Sequence, residues 1–360
     1  MGKGMKKKFD KTAKSNAITY GMVIAFWVII QIMIYTDNIS SLMKGLLVPV
    51  CAYAILAVSL NLTVGILGEL SLGHAGFMCV GAFASAFFTI CMKDVIPVAG
   101  VRFTLALLIG AASAAVFGVL IGIPVLRLRG DYLAIVTLAF GEIIKNFMNI
   151  LFIGRDSQGL HFSTKDSVAL GLEPDGVVLL KGPQGITGTS KDSTFTIGII
   201  LLLITLFIVL RLIQSRDGRA IKAIRDNRIA AESIGINITK YKLMAFAISA
   251  GLAGIGGVLY AHNLSTLTAT SKNFGYNMSI MILVFVVLGG IGNIRGSVIA
   301  AAVLTVLPEL LRSLSDYRML IYAIVLIVMM LFNWSPAALE FRERYSLKRL
   351  LHKNKAKEAA

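Results

Sequence analysis

The feature that most constrains this chain is the recurrence of apolar runs long enough to cross a bilayer, the first at 18–35 and the last at 319–335, separated by short polar breaks. A hydrocarbon core takes about 20 mainly apolar residues per helix, and within it a helix satisfies its own backbone hydrogen bonds. Taking each run between charged breaks predicts helices at 18–35, 45–64, 72–92, 103–126, 132–153, 195–213, 243–262, 276–291, 297–313 and 319–335. The expected fold class is therefore an all-α membrane protein with about ten transmembrane helices in one domain, 18–335. Composition agrees: 56% of the 360 residues are hydrophobic, against roughly 45–50% in soluble domains.

Charge orients such a bundle. The net charge of +16 would suit a nucleic acid, but no recognition module or interleaved aromatic pattern accompanies it. Lys and Arg gather instead in a basic tail at 1–17 (Lys3, Lys6, Lys7, Lys8), in a second at 336–360 (Arg342, Arg344, Lys348, Arg349), and in the internal segment 214–242. Cytoplasmic loops carry such an excess, so both termini and 214–242 are expected in the cytoplasm. Alternation then places the long polar segment 154–194 outside. The apolar run after the N-terminal lysines is long for a signal peptide and has no small-residue cleavage site before Asp37, so it is expected to remain as the first helix. Cys51, Cys79 and Cys91 lie in or beside apolar runs without C-x-x-C spacing and read as small core residues.

Small residues recur at helix-packing intervals in Ser249-x-x-x-Ala253-x-x-x-Gly257 and Ala250-x-x-x-Gly254, which tight helix contact is enough to explain. Glycine-broken stretches at 65–73 and 289–296 interrupt two other runs, as repeats within transporters do. The segment 217–242 is more specific. It predicts a short helix with Ala220, Ile221 and Ile224 on one face and Arg219, Lys222 and Arg225 turned away, closed by Gly235 as a C-cap. That pattern suits a docking element. The plainer alternative is a solvated basic loop serving topology alone.

Four stretches carry a family resemblance. They are Gly218-Arg219-Ala220-x-x-Ala223-Ile224-Arg225-Asp226 continued by Ala230-Ala231-Glu232-x-x-Gly235-Ile236 and Lys242-x-x-Ala245-Phe246; Leu70-Ser71-Leu72-Gly73-His74-Ala75; Tyr132-Leu133-Ala134-x-x-Thr137-Leu138-x-Phe140-Gly141-Glu142-Ile143; and Val287-Leu288-Gly289-Gly290-Ile291-Gly292 with Leu307-Pro308-Glu309. Together they resemble the larger membrane permease subunit of branched-chain amino-acid ABC importers, from about residue 45 to 335. The resemblance implies the ABC-importer permease fold in the plasma membrane of a prokaryote. It also implies a second homologous permease, two cytoplasmic ATPase subunits that bind ATP and Mg, and an extracytoplasmic substrate-binding protein that selects the solute. Within the family the short helix around Ala230–Gly235 couples ATPase closure to the membrane helices. Here the acidic residue follows the alanines (Ala230-Ala231-Glu232), where the general importer form has it before them. The Gly182-Pro183-Gln184-Gly185 region resembles a family loop, with a longer stretch, 155–181, before it that is expected at the surface.

Ionisable residues inside the membrane are costly and become functional candidates. Glu142 and Lys145 lie three apart on one helical face, so a neutralising pair and a part in the solute path both stand open. His74 is expected to bond across a helix interface, Glu69 to be solvated near the surface, and His262 to lie in the interfacial aromatic belt. The chain carries no G-x-x-x-x-G-K-[ST] phosphate loop, H-E-x-x-H, G-x-S-x-G or Cys/His metal cluster. Neither enzyme activity nor a cofactor of its own is expected, and energy must come from partners. The leading expectation is transport by alternating access. A urea or short-amide permease is the nearest alternative. An ion-coupled secondary transporter would want several intramembrane carboxylates or broken helices, and, like a membrane scaffold, leaves 217–242 unexplained.

Overall fold

The computed structural model describes residues 2–37, 40–128, 130–157, 159–174, 176–312 and 317–334. The basic tail at 336–360 lies outside them. In chain order the helices are α1 (Gly2–Tyr35), α2 (Ser41–Asn61), α3 (His74–Cys91), α4 (Ala99–Val125), α5 (Asp131–Ile150), α6 (Phe195–Gln214), α7 (Arg216–Asp226), α8 (Arg228–Ser233), α9 (Ile238–Ala261), α10 (Ser271–Phe274), α11 (Tyr276–Gly289), α12 (Ile294–Leu310) and α13 (Arg318–Trp334). Eight described segments are long and apolar enough to cross a membrane, and α12 and α13 fall just short at 17 residues each. Each of the ten apolar runs is thus helical, and the chain is a multi-pass membrane protein. The N-terminal tail is not a separate element, because α1 runs from Gly2 straight into the first span.

Polar residues set the starts. Ser40, Thr194, Asn237 and Thr270 each accept a backbone N–H from the first turn of the following helix, the usual work of a short polar side chain at an N-cap. The end of α2 is less regular: Leu62–Leu67 continue it as a π-helical turn, closed by Gly68 with φ +81°. Such turns insert a residue into the helical ladder and recur at functional sites.

The chain divides into two compact units, Met1–Val306 and Leu307–Ala360. In the first, α9 is the central helix, packed on α2, α3 and α4. Its small-residue stripe is what lets it get there. A Cβ on Gly254 would lie 2.7 Å from the Gly110 carbonyl of α4, and one on Gly257 would lie 2.1 Å from the Met78 carbonyl of α3. Ser249 of the same stripe donates to the Ser59 carbonyl at 2.6 Å. In the second unit, Arg312 donates to Glu309 at 3.0 Å beyond Pro308, and α13 follows.

The segment 154–194 differs from a plain surface loop. With 152–153 and 266–267 it forms a small antiparallel sheet of order β2-β1-β3-β4-β5, from β1 (Phe152–Arg155), β2 (Leu160–Ser163), β3 (Val177–Lys181), β4 (Ile186–Thr187) and β5 (Thr266–Leu267). Ile153, Leu170, Leu179 and Leu180 are buried, and the sheet packs on α3. His262, at the end of α9, is 1% exposed, with Nε2 3.0 Å from the Thr89 hydroxyl and the ring edge-on to Phe103 at 5.2 Å.

Candidate coupling segment and intramembrane site

The segment 214–242 holds two short helices, α7 and α8, rather than one. Ser215 ends α6 and caps α7 by accepting from the Gly218 N–H at 3.0 Å. Gly218 is required by that close bend, since a Cβ there would lie 2.0 Å from the Leu212 carbonyl. The apolar face of α7 turns inward: Ile221 packs with Leu62, Ile66 and Leu67 of the π-helical turn and with Ala245 of α9. Ala220 is half-buried and Arg219 exposed, the latter donating to the Gln214 carbonyl at 3.2 Å. Burial, then the neighbouring Arg225, pushes the Lys222 ammonium below its usual range.

Arg225 is exposed, as its helical face predicts, and also reaches back to the membrane helices. Its Nη1 donates to the Gly65 carbonyl at 2.9 Å, its stem covers Gly68, and its other nitrogens reach Asp226. Asn227, in extended conformation, then breaks the helix and caps α8 by accepting from the Ala230 N–H at 3.0 Å. Ala231 packs on Ile224 and Ile238, while Ala230, Glu232 and the side chains of Ile229 (81%) and Ile234 (75%) are exposed. Gly235 closes α8 with φ +82°; its N–H reaches the Glu232 carbonyl and that of Ile236 reaches Ala231. This is a Schellman ending, in which the residue with positive φ is normally glycine.

Two contacts behind this segment were not foreseen. Glu69 is not a solvated surface group, because the Lys242 ammonium, 5% exposed, binds its carboxylate and ties the turn after α2 to the start of α9. Asn61 joins α2 to the 289–296 stretch: its Oδ1 accepts from the Gly292 N–H at 2.8 Å and its Nδ2 donates to the Ser297 hydroxyl at 2.7 Å. A lone Asn inside an apolar run was the available signal, since a buried amide wants partners.

Within the bundle, Lys145 Nζ lies 2.5 Å from Glu142 Oε2 and 3.0 Å from the Ser271 hydroxyl. The second carboxylate oxygen, Oε1, accepts from the backbone N–H of Tyr276 at 2.7 Å, so Glu142 caps α11 where Gly275 separates it from α10. His74 has its own partners: Nε2 is 2.7 Å from the Ser59 hydroxyl, and the neighbouring Ala75 N–H donates to Ser279. Among the described residues no cluster of His, Cys, Asp and Glu could hold a metal ion.

Comparison with known proteins agrees with this architecture. The family model described as branched-chain amino acid transport system / permease component matches residues 42–332. The chain is 35% identical over 310 residues to the high-affinity branched-chain amino acid transport system permease protein LivM of Salmonella typhimurium, covering 82% of this chain and 69% of that protein. LivM of Escherichia coli is 35% identical over 306 residues, with the same coverage. The LivH permease protein of the Salmonella typhimurium system is 22% identical over 264 residues, 72% of this chain and 81% of LivH. No solved structure gave a significant match. With ten apolar helices, the α7–α8 segment joined to α2, and matches over most of its length, the chain belongs to the permease component family of branched-chain amino acid transport systems.

Proposed function

We propose that the chain is the LivM-like permease of an ATP-driven importer that carries branched-chain amino acids by alternating access. On this reading it pairs with a LivH-like second permease, and two ATPase subunits holding ATP and Mg dock on α8 from the cytoplasm. A substrate-binding protein meets the sheet end outside, and both termini are cytoplasmic. The observation that carries the coupling role is the construction of α8. It is a short helix whose apolar Ile229, with Ile234 at its C-cap, is exposed beside Glu232, while Ala231 and the adjoining α7 are seated on the membrane helices. Exposed apolar residues outside the span are poorly placed for water and well placed for a protein partner. Movement imposed on α8 would reach α2 through Ile221 and Arg225.

The names of the LivM relatives favour amino acids over urea or amides. The test is reconstitution of the chain with its second permease, ATPases and binding protein in liposomes. Leucine uptake driven by enclosed ATP supports the reading. Uptake driven by an ion gradient without ATP, or ATP binding by this chain alone, would overturn it.

A further inference from the structure

Exposure and polarity disagree on one face of the bundle. Around their midpoints α4 and α6 expose Leu108, Phe117, Ile200 and Ile204, the apolar surface that lipid requires. The face of α5 and α11 differs. There Asn146, Tyr276 and Asn277 are exposed together with the apolar Ile135, Ile143 and Phe147, and Glu142 is 24% exposed among them, so the face is mixed where that of α4 and α6 is apolar. Lys145, 7% exposed, lies behind the face, and buried His74 does not reach it.

This face is deep. Glu142 is the twelfth of the 20 residues of α5, about 16 Å from the helix start at 1.5 Å per residue. The 14 residues of α11 likewise put Tyr276 about 20 Å from that helix's far end. Glu142 therefore falls near the middle of its span, and its 2.7 Å bond to the Tyr276 N–H holds the start of α11 beside it, inside a core about 30 Å thick where exposed amides and a carboxylate are costly against lipid. Interrupted backbone, such as the break at Gly275, occurs at that depth where it is enclosed by protein or lines water.

We infer that the α5–α11 face lines the solute path, and that the Glu142 carboxylate contacts the α-ammonium group of an amino acid in transit. The ammonium contact rests on the amino-acid reading above; the path does not. A carboxylate has about four acceptor positions, and Lys145 and the Tyr276 N–H occupy two, which leaves capacity for a third donor. The Glu142–Lys145 pair is neutral and so is a zwitterionic amino acid, so its passage adds no net charge at mid-span. Ile143 offers apolar contact to a branched side chain.

The test uses the complete transporter in proteoliposomes with Cys51, Cys79 and Cys91 replaced. N146C and N277C should react with a small cationic methanethiosulfonate at least tenfold faster than L108C and I204C. Equal rates overturn the path assignment and give the face to lipid or the second permease. E142Q should lower leucine uptake at least tenfold, with E142D retaining a substantial share. If E142Q fails to assemble, E142Q/K145M removes the unpaired cation and its uptake is read instead. Uptake at the parental rate by a neutral variant overturns the role of Glu142. If the parental transporter does not move leucine, the ammonium contact falls with the substrate reading, while the thiol rates still decide the path.

Discussion

The Arg225 guanidinium donates to the Gly65 carbonyl at 2.9 Å, across 160 residues of chain. This bond joins the last turn of α7 to the π-helical turn that ends α2. The carbonyl is available because it lies in the last turn of the helix, where carbonyls lack intrahelical partners, and the approach is possible because Gly68 has no side chain where the arginine stem passes.

Replacing Arg225 should therefore uncouple the transporter more than it undocks the ATPases. A hydrogen bond to a charged group is worth about 1.5–3 kcal/mol when protected, and this half-exposed one less. R225A is expected to keep co-purification with the ATPases while raising ATP hydrolysed per solute several-fold. R225K, with a single ammonium for the fork, should be intermediate. Loss of ATPase co-purification in R225A would return Arg225 to a simple cationic docking face.

Gly235 isolates one variable, because no atom lies within 4 Å of where its Cβ would be. Only the positive φ resists substitution, at roughly 1–2 kcal/mol for most residues and less for Asn. G235V should reach the membrane at normal abundance but lose most uptake, whereas G235N should transport. Normal uptake by G235V at normal abundance would show that the α8 ending does not transmit the stroke.

The Glu142–Lys145 pair should behave cooperatively. Removing one member strands the other charge inside the bundle, while removing both does not. In thermal stability of the assembled complex, E142Q and K145M should each cost more than E142Q/K145M, with a coupling of about 0.5–3 kcal/mol. Additive effects would mean that the 2.5 Å contact carries no mutual stabilisation.

Orientation is open to direct labelling. In a background without the native cysteines, K165C on the sheet side should react with an impermeant thiol reagent in intact cells. I234C, at the C-cap of α8, should react only after permeabilisation. The reverse pattern would invert the topology.

The sequence by itself determined the helical membrane class, the ten apolar helical runs and the nearness of Glu142 to Lys145. Each depends on residues close together in the chain: an apolar run must be long enough for the bilayer, and residues three apart share a helical face. The Schellman glycine was legible for the same reason. Only the tertiary structure decided where long-range polar groups found partners. Glu69 and Lys242 are 173 residues apart, and Asn61 and Gly292 are 231 apart, with no local pattern relating them. It likewise folded 152–187 with 266–267 into a sheet whose strands are two to five residues long, too short for alternation to be read. Arg225 shows the physical limit most directly. Its helical periodicity pointed outward and it is exposed, but a long flexible side chain beside an accepting carbonyl also reaches where its donors are satisfied, and that depends on which helix end packs against it.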